Sequence, residues 1–297
     1  MKNQVYDIIA DRILEMLDKG VVPWRKPWTA GPAEMPRNGL TKKPYRGINV
    51  FLLHAAGYSN PRWFTFRQAL AIGANVRKGE KGFPVVFWKF DRAAREERAD
   101  EPADADAAEA TAKRAPILRY YTVFNAEQLD NLPGAYTDSP AEPAAEPRDP
   151  IADAVAIVEG MPNRPRITYA GGRACYRPFD DSVTVPPAES FPQLEEHYST
   201  LFHELAHATG HETRLNRKTI GTAAFGSDTY GREELLAEFA ASFLCAVAGI
   251  ATATIENSAA YIASWRETIK ADKPIVVFAA AQAQKAADYI LNADRAR

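Results

Sequence analysis

Two histidines four residues apart, with a glutamate between them, interrupt an otherwise apolar helical run, and nothing else in the chain constrains its fold and chemistry as strongly. The run is QLEEHYSTLFHELAHATGH. Leu201, Phe202, Leu205, Ala206 and Ala208 mark it as a buried helix, and Gly210 is placed to stop it. His203 and His207 then stand one above the other on a single face. Their imidazoles can share one tetrahedral Zn²⁺ at about 2.0–2.1 Å each. Glu204 lies about 100° further round, where it can reach a metal-bound water as general base without ligating the metal. An HExxH string also arises by chance, but three polar residues on an apolar helix are costly unless they have partners.

A third ligand must follow. His211 lies beyond Gly210, outside the same helix. The longer pattern HExxHxxGxxH matches at Gly210 but ends on Thr213 instead of histidine, which rules that pattern out. The helical segment REELLAEFAASFL offers Glu234 and Glu238, four residues apart on one face. A carboxylate from this second helix gives a His₂Glu site with an open position for water. The reading takes Glu234 as ligand and Glu238 as a carboxylate orienting a histidine, with the reverse order open. Glu234-Leu-Leu-Ala-Glu238 resembles the ExxA(D/N) pattern of several gluzincin families, with Glu in place of Asp or Asn at the end. Tyr169, Arg173 and Tyr230 are candidate oxyanion donors. The strand near 182–185, read as exposed, is a candidate to pair with an extended peptide.

The charge is uneven. Residues 1–92 carry 16 Lys+Arg against 7 Asp+Glu, whereas the rest carries 20 against 31, so the net −2 conceals a basic half and an acidic half. A basic half suits a polyanion. Its cations alternate with aromatics at Trp24, Arg25, Lys26 and Trp28, at Lys43, Tyr45 and Arg46, at Arg62, Trp63 and Arg67, and in the turn holding Arg77, Lys78 and Lys81. Cations attract phosphate and aromatic faces stack on unpaired bases, which suits single-stranded nucleic acid. Trp63, Phe64 and Phe66 are expected to be partly core, while Trp24 and Trp28, between prolines, are expected to be exposed. Acidic clusters for two-metal nuclease chemistry are not apparent.

The expected architecture is α+β in two domains: residues 1–136, a linker at 137–150, and a mainly helical second domain with a small sheet at 151–297. Residues 93–115, rich in Ala and charge, form a flexible insertion, because no apolar face is present to dock them. The run PILRYYTVFN returns after it to the first domain's sheet. Helices are expected near 47–56, 65–72 and 151–159, and strands near 84–90, 117–124, 166–169 and 182–185. No apolar stretch reaches the ~20 residues that span a bilayer. Two distant cysteines, Cys175 and Cys245, suit a reducing cytoplasm.

The strings PWRKPW, YRGIN, WFTFRQA, GANVRKGEKG, TVFNAEQ, HELAHATGH and REELLAEFAASFLC, in this order, resemble the ArdC-type antirestriction proteins of conjugative plasmids. The resemblance covers nearly all of the chain outside 93–115 and 137–150. It implies an N-terminal domain that binds single-stranded DNA and a C-terminal zincin-like metallopeptidase domain. It implies protection of incoming plasmid DNA from host restriction during conjugation. The enzyme reading takes an unknown host protein as the substrate of the peptidase site. It supports His203, Glu204 and His207 as the HExxH site and Glu234 as third ligand. A binding protein whose metal domain only docks or stabilises is the competing reading.

Overall fold

A computed structural model describes residues 4–25, 35–89, 117–137, 149–218, 228–250 and 259–293. Helix α1 (Gln4–Asp18) buries Val5, Ile9, Ile13, Met16 and Leu17 along one stripe, as its apolar spacing dictates. A single turn, Pro23–Arg25, follows. Then come β1 (Arg37–Asn38), α2 (Ile48–His54), β2 (Arg62–Thr65) and α3 (Phe66–Ala71). Thr65 starts α3 with a capping box, its hydroxyl accepting from Gln68 N–H while the Gln68 side chain accepts from Thr65 N–H. The remaining N-terminal elements are β3 (Asn75–Val76), β4 (Phe83–Lys89), β5 (Ile117–Asn125), β6 (Leu129–Asp130) and the short α4 (Gly134–Thr137).

Four strands form a sheet in the order β1-β2-β5-β4, so the run after the insertion does return to the first sheet and lies at its centre. Strand β4 is an edge, and Asn49 of α2 covers it. Its amide donates to the Val86 carbonyl and accepts from the Val86 N–H, both at 2.8 Å. An edge whose backbone groups are met by a side chain cannot recruit another strand there.

The C-terminal domain begins with α5 (Pro150–Gly160), capped by Asp149 with proline at the first helical position. Strands β7 (Arg166–Tyr169), β8 (Cys175–Arg177) and β9 (Ser182–Val185) form a three-stranded sheet. Helices α6 (Leu194–Ala208), α7 (Asp228–Ala248), α8 (Ala259–Ala271) and α9 (Ile275–Ile290) complete it. The molecule is thus α+β: an N-terminal domain of mixed sheet and helix, and a mainly helical C-terminal domain with a small sheet. No helix among the described residues is long and apolar enough to cross a membrane.

Helix α7 is the hub. Leu235, Leu236, Ala237, Phe239, Ala240, Phe243 and Leu244 are all buried, so it is apolar on every side and packs on α5, α6 and α9. The N-terminal domain also reaches it. Phe51 of α2 lies 4.8 Å from both Phe239 and Phe243, and Trp24 lies 5.1 Å from Phe239. One apolar core therefore runs through both domains.

Two expectations are corrected. Trp24 is not exposed: it is 1% accessible, and its indole N–H donates to the Tyr261 hydroxyl at 3.1 Å. Flanking prolines shape the backbone but do not decide where a ring of this size goes, and α7 and α8 offer it an apolar slot. Strand β9 is not an exposed strand free to pair with a peptide. It is the middle strand, parallel to β7 and antiparallel to β8, and Val183 and Val185 are fully buried. Alternation identified the strand but carried no information about its neighbours.

Arg214 locks this sheet to the end of α6. Its side chain is 1% exposed, donates to the carbonyls of Ala208 (2.6 Å) and Asn163 (2.8 Å), and forks onto Asp181. Burial works against the Asp181 carboxylate, but Arg214 and the Tyr176 hydroxyl outweigh it and hold its pKa below the ordinary value. The stabilisation is therefore complete above the ordinary carboxylate range, about pH 4, and is lost as pH falls through the lowered value. Arg214→Met should cost about 3 kcal/mol, because it strands a partly buried carboxylate and the Ala208 carbonyl. Urea unfolding at pH 7 measures this loss, and the gap between the proteins should narrow in acid.

Candidate metal centre

Helices α6 and α7 pack side by side and bring three donors together. His203 Nε2 and His207 Nε2 lie 3.1 Å apart. Glu234 reaches across from α7, with one oxygen 3.5 Å from His203 Nε2 and the other 3.6 Å from His207 Nε2. These are the described residues that form a cluster able to hold a metal ion. Two imidazole nitrogens this close repel if both present lone pairs, unless a proton or a cation sits between them. A tetrahedral ion with bonds of about 2.0–2.1 Å has edges of about 3.3 Å, close to the separation of the two histidine nitrogens and to the approach of one Glu234 oxygen to each of them. The donor set fits a single divalent ion and leaves one side of the tetrahedron without a protein donor from this cluster.

The electrostatics favour a cation. Burial opposes charge on His203, but the Glu234, Glu238 and Glu204 carboxylates outweigh it and raise its pKa. Glu204, next along α6 from His203, is itself buried at 8% exposure. Too many carboxylates converge here for a neutral site.

The carboxylate that faces a histidine's far nitrogen is Glu233, which the sequence reading overlooked. Its Oε1 lies 3.7 Å from His207 Nδ1. Arg217 grips it from the other side at 2.5 Å, and also donates to Thr209 Oγ1 (2.6 Å) and the Ala206 carbonyl (2.9 Å). Arg217 thus closes the C-terminal end of α6 and fixes Glu233 in one contact set. Burial would raise the Glu233 pKa, but His207 and Arg217 reverse this and hold it at about 2. The carboxylate stays ionised, ready to orient a neutral or cationic imidazole.

Glu238 has a different partner from the one expected. It pairs with Arg25 at 3.0 Å, and the Arg25 guanidinium lies 3.7 Å over the Tyr261 ring. Glu238 is one helical turn beyond Glu234, so it adds field at His203 while its own charge is met by the N-terminal domain. The missed signal was a count: three glutamates on a helix apolar on every side demand three separate partners, and a same-face argument considers only two of them.

The proposed nucleic-acid residues divide. Trp24, Arg25 and Trp63 are inside, with Trp63 and Phe64 in the core and Phe66 half exposed. Arg62 is half-buried and reaches the Tyr136 carbonyl at 3.4 Å. Lys43, Arg67, Lys78 and Lys81 are exposed, as is Arg77, which pairs with Glu80 at 3.2 Å. Tyr45 is half-buried, and Arg46 is exposed and paired with Asp288 of α9. Lys26 and Trp28 lie outside the described residues. Of the oxyanion candidates, Tyr169 is exposed with its ring 5.5 Å from His197, Arg173 is exposed, and the Tyr230 side chain lies outside the described set.

A helix carrying HExxH, a second helix supplying a glutamate, and a small sheet beside them define a zincin-like domain. A zincin-like metallopeptidase family model matches residues 158–283, and the model of the N-terminal domain of anti-restriction factor ArdC matches residues 3–124. The crystal structure of the antirestriction ArdC protein from the R388 plasmid, in its Mn(II)-bound form, superposes with a TM-score of 0.71 at 34% identity over 97% of both chains. Its metal-free form gives 0.70. The uncharacterized protein y4eC of Sinorhizobium fredii is 35% identical over 96% of this chain and 91% of its own length. The chain belongs to the ArdC family of antirestriction proteins. It also matches DNA primase TraC of Escherichia coli at 39% identity over 98% of its own length, but spans 20% of that primase.

Proposed function

We propose that the protein shields incoming plasmid DNA from host restriction during conjugation, acting in the recipient cytoplasm. On this reading its N-terminal domain holds single-stranded DNA and its C-terminal domain is a zinc-dependent peptidase that cuts a host protein. The triangle of His203, His207 and Glu234, to which no other described residue adds a fourth donor, with Glu204 next to His203 on α6, carries the peptidase reading. A structural zinc normally has four protein ligands and no open position. The antirestriction reading rests on family membership and on the likeness to the plasmid-encoded ArdC.

His203, His207 and Glu234 would hold the zinc, which when bound acidifies a water and polarises a carbonyl. Glu204 would take up a proton from that water and pass it to a leaving amine. Glu233, held by Arg217 and facing His207 Nδ1, would orient the His207 ring.

Comparing the proteomes of recipient cells that receive wild-type or Glu204→Gln protein tests this reading. Fragments of a host protein that appear with wild type alone support it. Full protection of the incoming DNA by Glu204→Gln would show that proteolysis is not the means. For the DNA half, affinity for a single strand should fall steeply with salt. Four phosphate contacts, from Lys43, Arg67, Lys78 and Lys81, give a log–log slope of about −3. Salt-insensitive binding, equal for duplex and single strand, would contradict it.

A further inference from the structure

A cleft of about 550 Å³ opens between the two domains, within the range of small-ligand sites. One wall is the edge of β4 with the turn that leads into α2, and the other is α9. Its described lining includes three cations, Lys43, Arg46 and Lys285, and no carboxylate. Lys285 belongs to the acidic half of the chain, so the C-terminal domain contributes to a basic site here. The nearby acid Asp288 is occupied by Arg46 and by the Gln284 amide.

The cleft is also aromatic. Tyr45, Phe87 and Tyr121 line it, and the Phe87 and Tyr121 rings are 5.6 Å apart. Phe87 is 43% exposed although it lies in a strand. Its cross-strand partner is Arg119, another exposed cation. Gly47, at φ 59°, lets the Tyr45–Gly47 turn lie against α9, and its N–H donates to Gln284 at 3.1 Å. The two domains thus hold the walls of the cleft in register.

We propose that single-stranded DNA seats a nucleotide in this cleft, with a base stacked on the exposed Phe87 ring, the Tyr121 ring tilted 58° against its edge, and the flanking phosphates on Lys43 and Lys285. The proposal rests on the single-strand reading above and adds a site shared between the domains. A base gains stacking from an exposed ring, and phosphates gain from cations that no carboxylate in the lining neutralises. A strand bound here would touch α9, which packs on the metal helix α7.

Fluorescence anisotropy of a labelled 20-nucleotide oligo-dT with the full-length protein, across a salt series, tests the assignment. Phe87→Leu should weaken binding about 5- to 150-fold, the loss of one base stack, with the salt slope unchanged. Lys285→Gln should make the slope shallower by about 0.7. Phe179→Leu and Lys270→Gln, exposed residues elsewhere, should bind as wild type, and circular dichroism checks that every variant folds. Wild-type protein that binds oligo-dT while Phe87→Leu and Lys285→Gln bind equally well overturns the cleft alone. Wild-type protein that does not bind oligo-dT overturns the single-strand reading and the cleft with it. Full displacement of oligo-dT by dTMP at matched nucleotide concentration overturns the proposal in favour of a free-nucleotide site.

Discussion

Glu204→Gln is expected to keep one divalent ion per chain and to lose peptide hydrolysis by about 10²–10⁴-fold, the usual contribution of a positioned acid–base group. Glutamine preserves the size and most of the packing of a side chain that is 8% exposed, so the fold should survive. Glu204 is adjacent to a ligand but is not in the donor triangle. Metal content by mass spectrometry and cleavage of an unstructured protein by metal-loaded wild type and variant are the two readouts. Loss of metal together with activity would move Glu204 into the ligand set. Unchanged cleavage would remove it from the chemistry.

The second large effect concerns Glu234 and separates it from its two neighbours. Glu234→Gln should lower metal affinity by more than the 10–100-fold that loss of an outer partner costs, since it removes the anionic donor that meets both histidines. Glu233→Gln should fall within that 10–100-fold range, because Glu233 acts through His207. Glu238→Gln should have the smallest effect of the three, because the charge it presents is already matched by Arg25. Competition with a chromogenic chelator ranks the three variants. If Glu238→Gln proves the most damaging, the assignment of the third ligand is wrong.

How much of this could be read from the chain depends on the range of the interaction. His203, Glu204 and His207 are a local pattern on one helix, and their spacing alone gives the geometry. Glu234 came from a second local pattern. Its meeting with the histidines is tertiary, and an apolar helix with an acidic interruption signalled it. Glu233 and Arg217 were not legible. Their pairing depends on how the loop after α6 folds back onto the helix end, and no periodicity encodes that. Strand β8 escaped notice because Cys-Tyr-Arg is too short for an alternating pattern, and without it β9 could not be recognised as a middle strand.

Trp24 and Arg25 show a different limit. Beside Lys26 and Trp28 they look like a surface motif. In the fold their side chains are drawn inward by Phe239, Tyr261 and Glu238, which lie more than two hundred positions away. Counting charge by halves of the chain had the same weakness. It located a basic half, but the cleft between the domains takes Lys285 from the acidic one.

The central claim is a three-ligand metal centre with an open position. Anomalous diffraction from crystals of the zinc-loaded protein measures it directly. The account predicts one strong peak about 2.0–2.1 Å from His203 Nε2 and His207 Nε2, with Glu234 as the third protein donor and water or a bound carboxylate completing the shell. A fourth protein ligand at the metal, or a peak bound by Glu233 or Glu238 in place of Glu234, would contradict it.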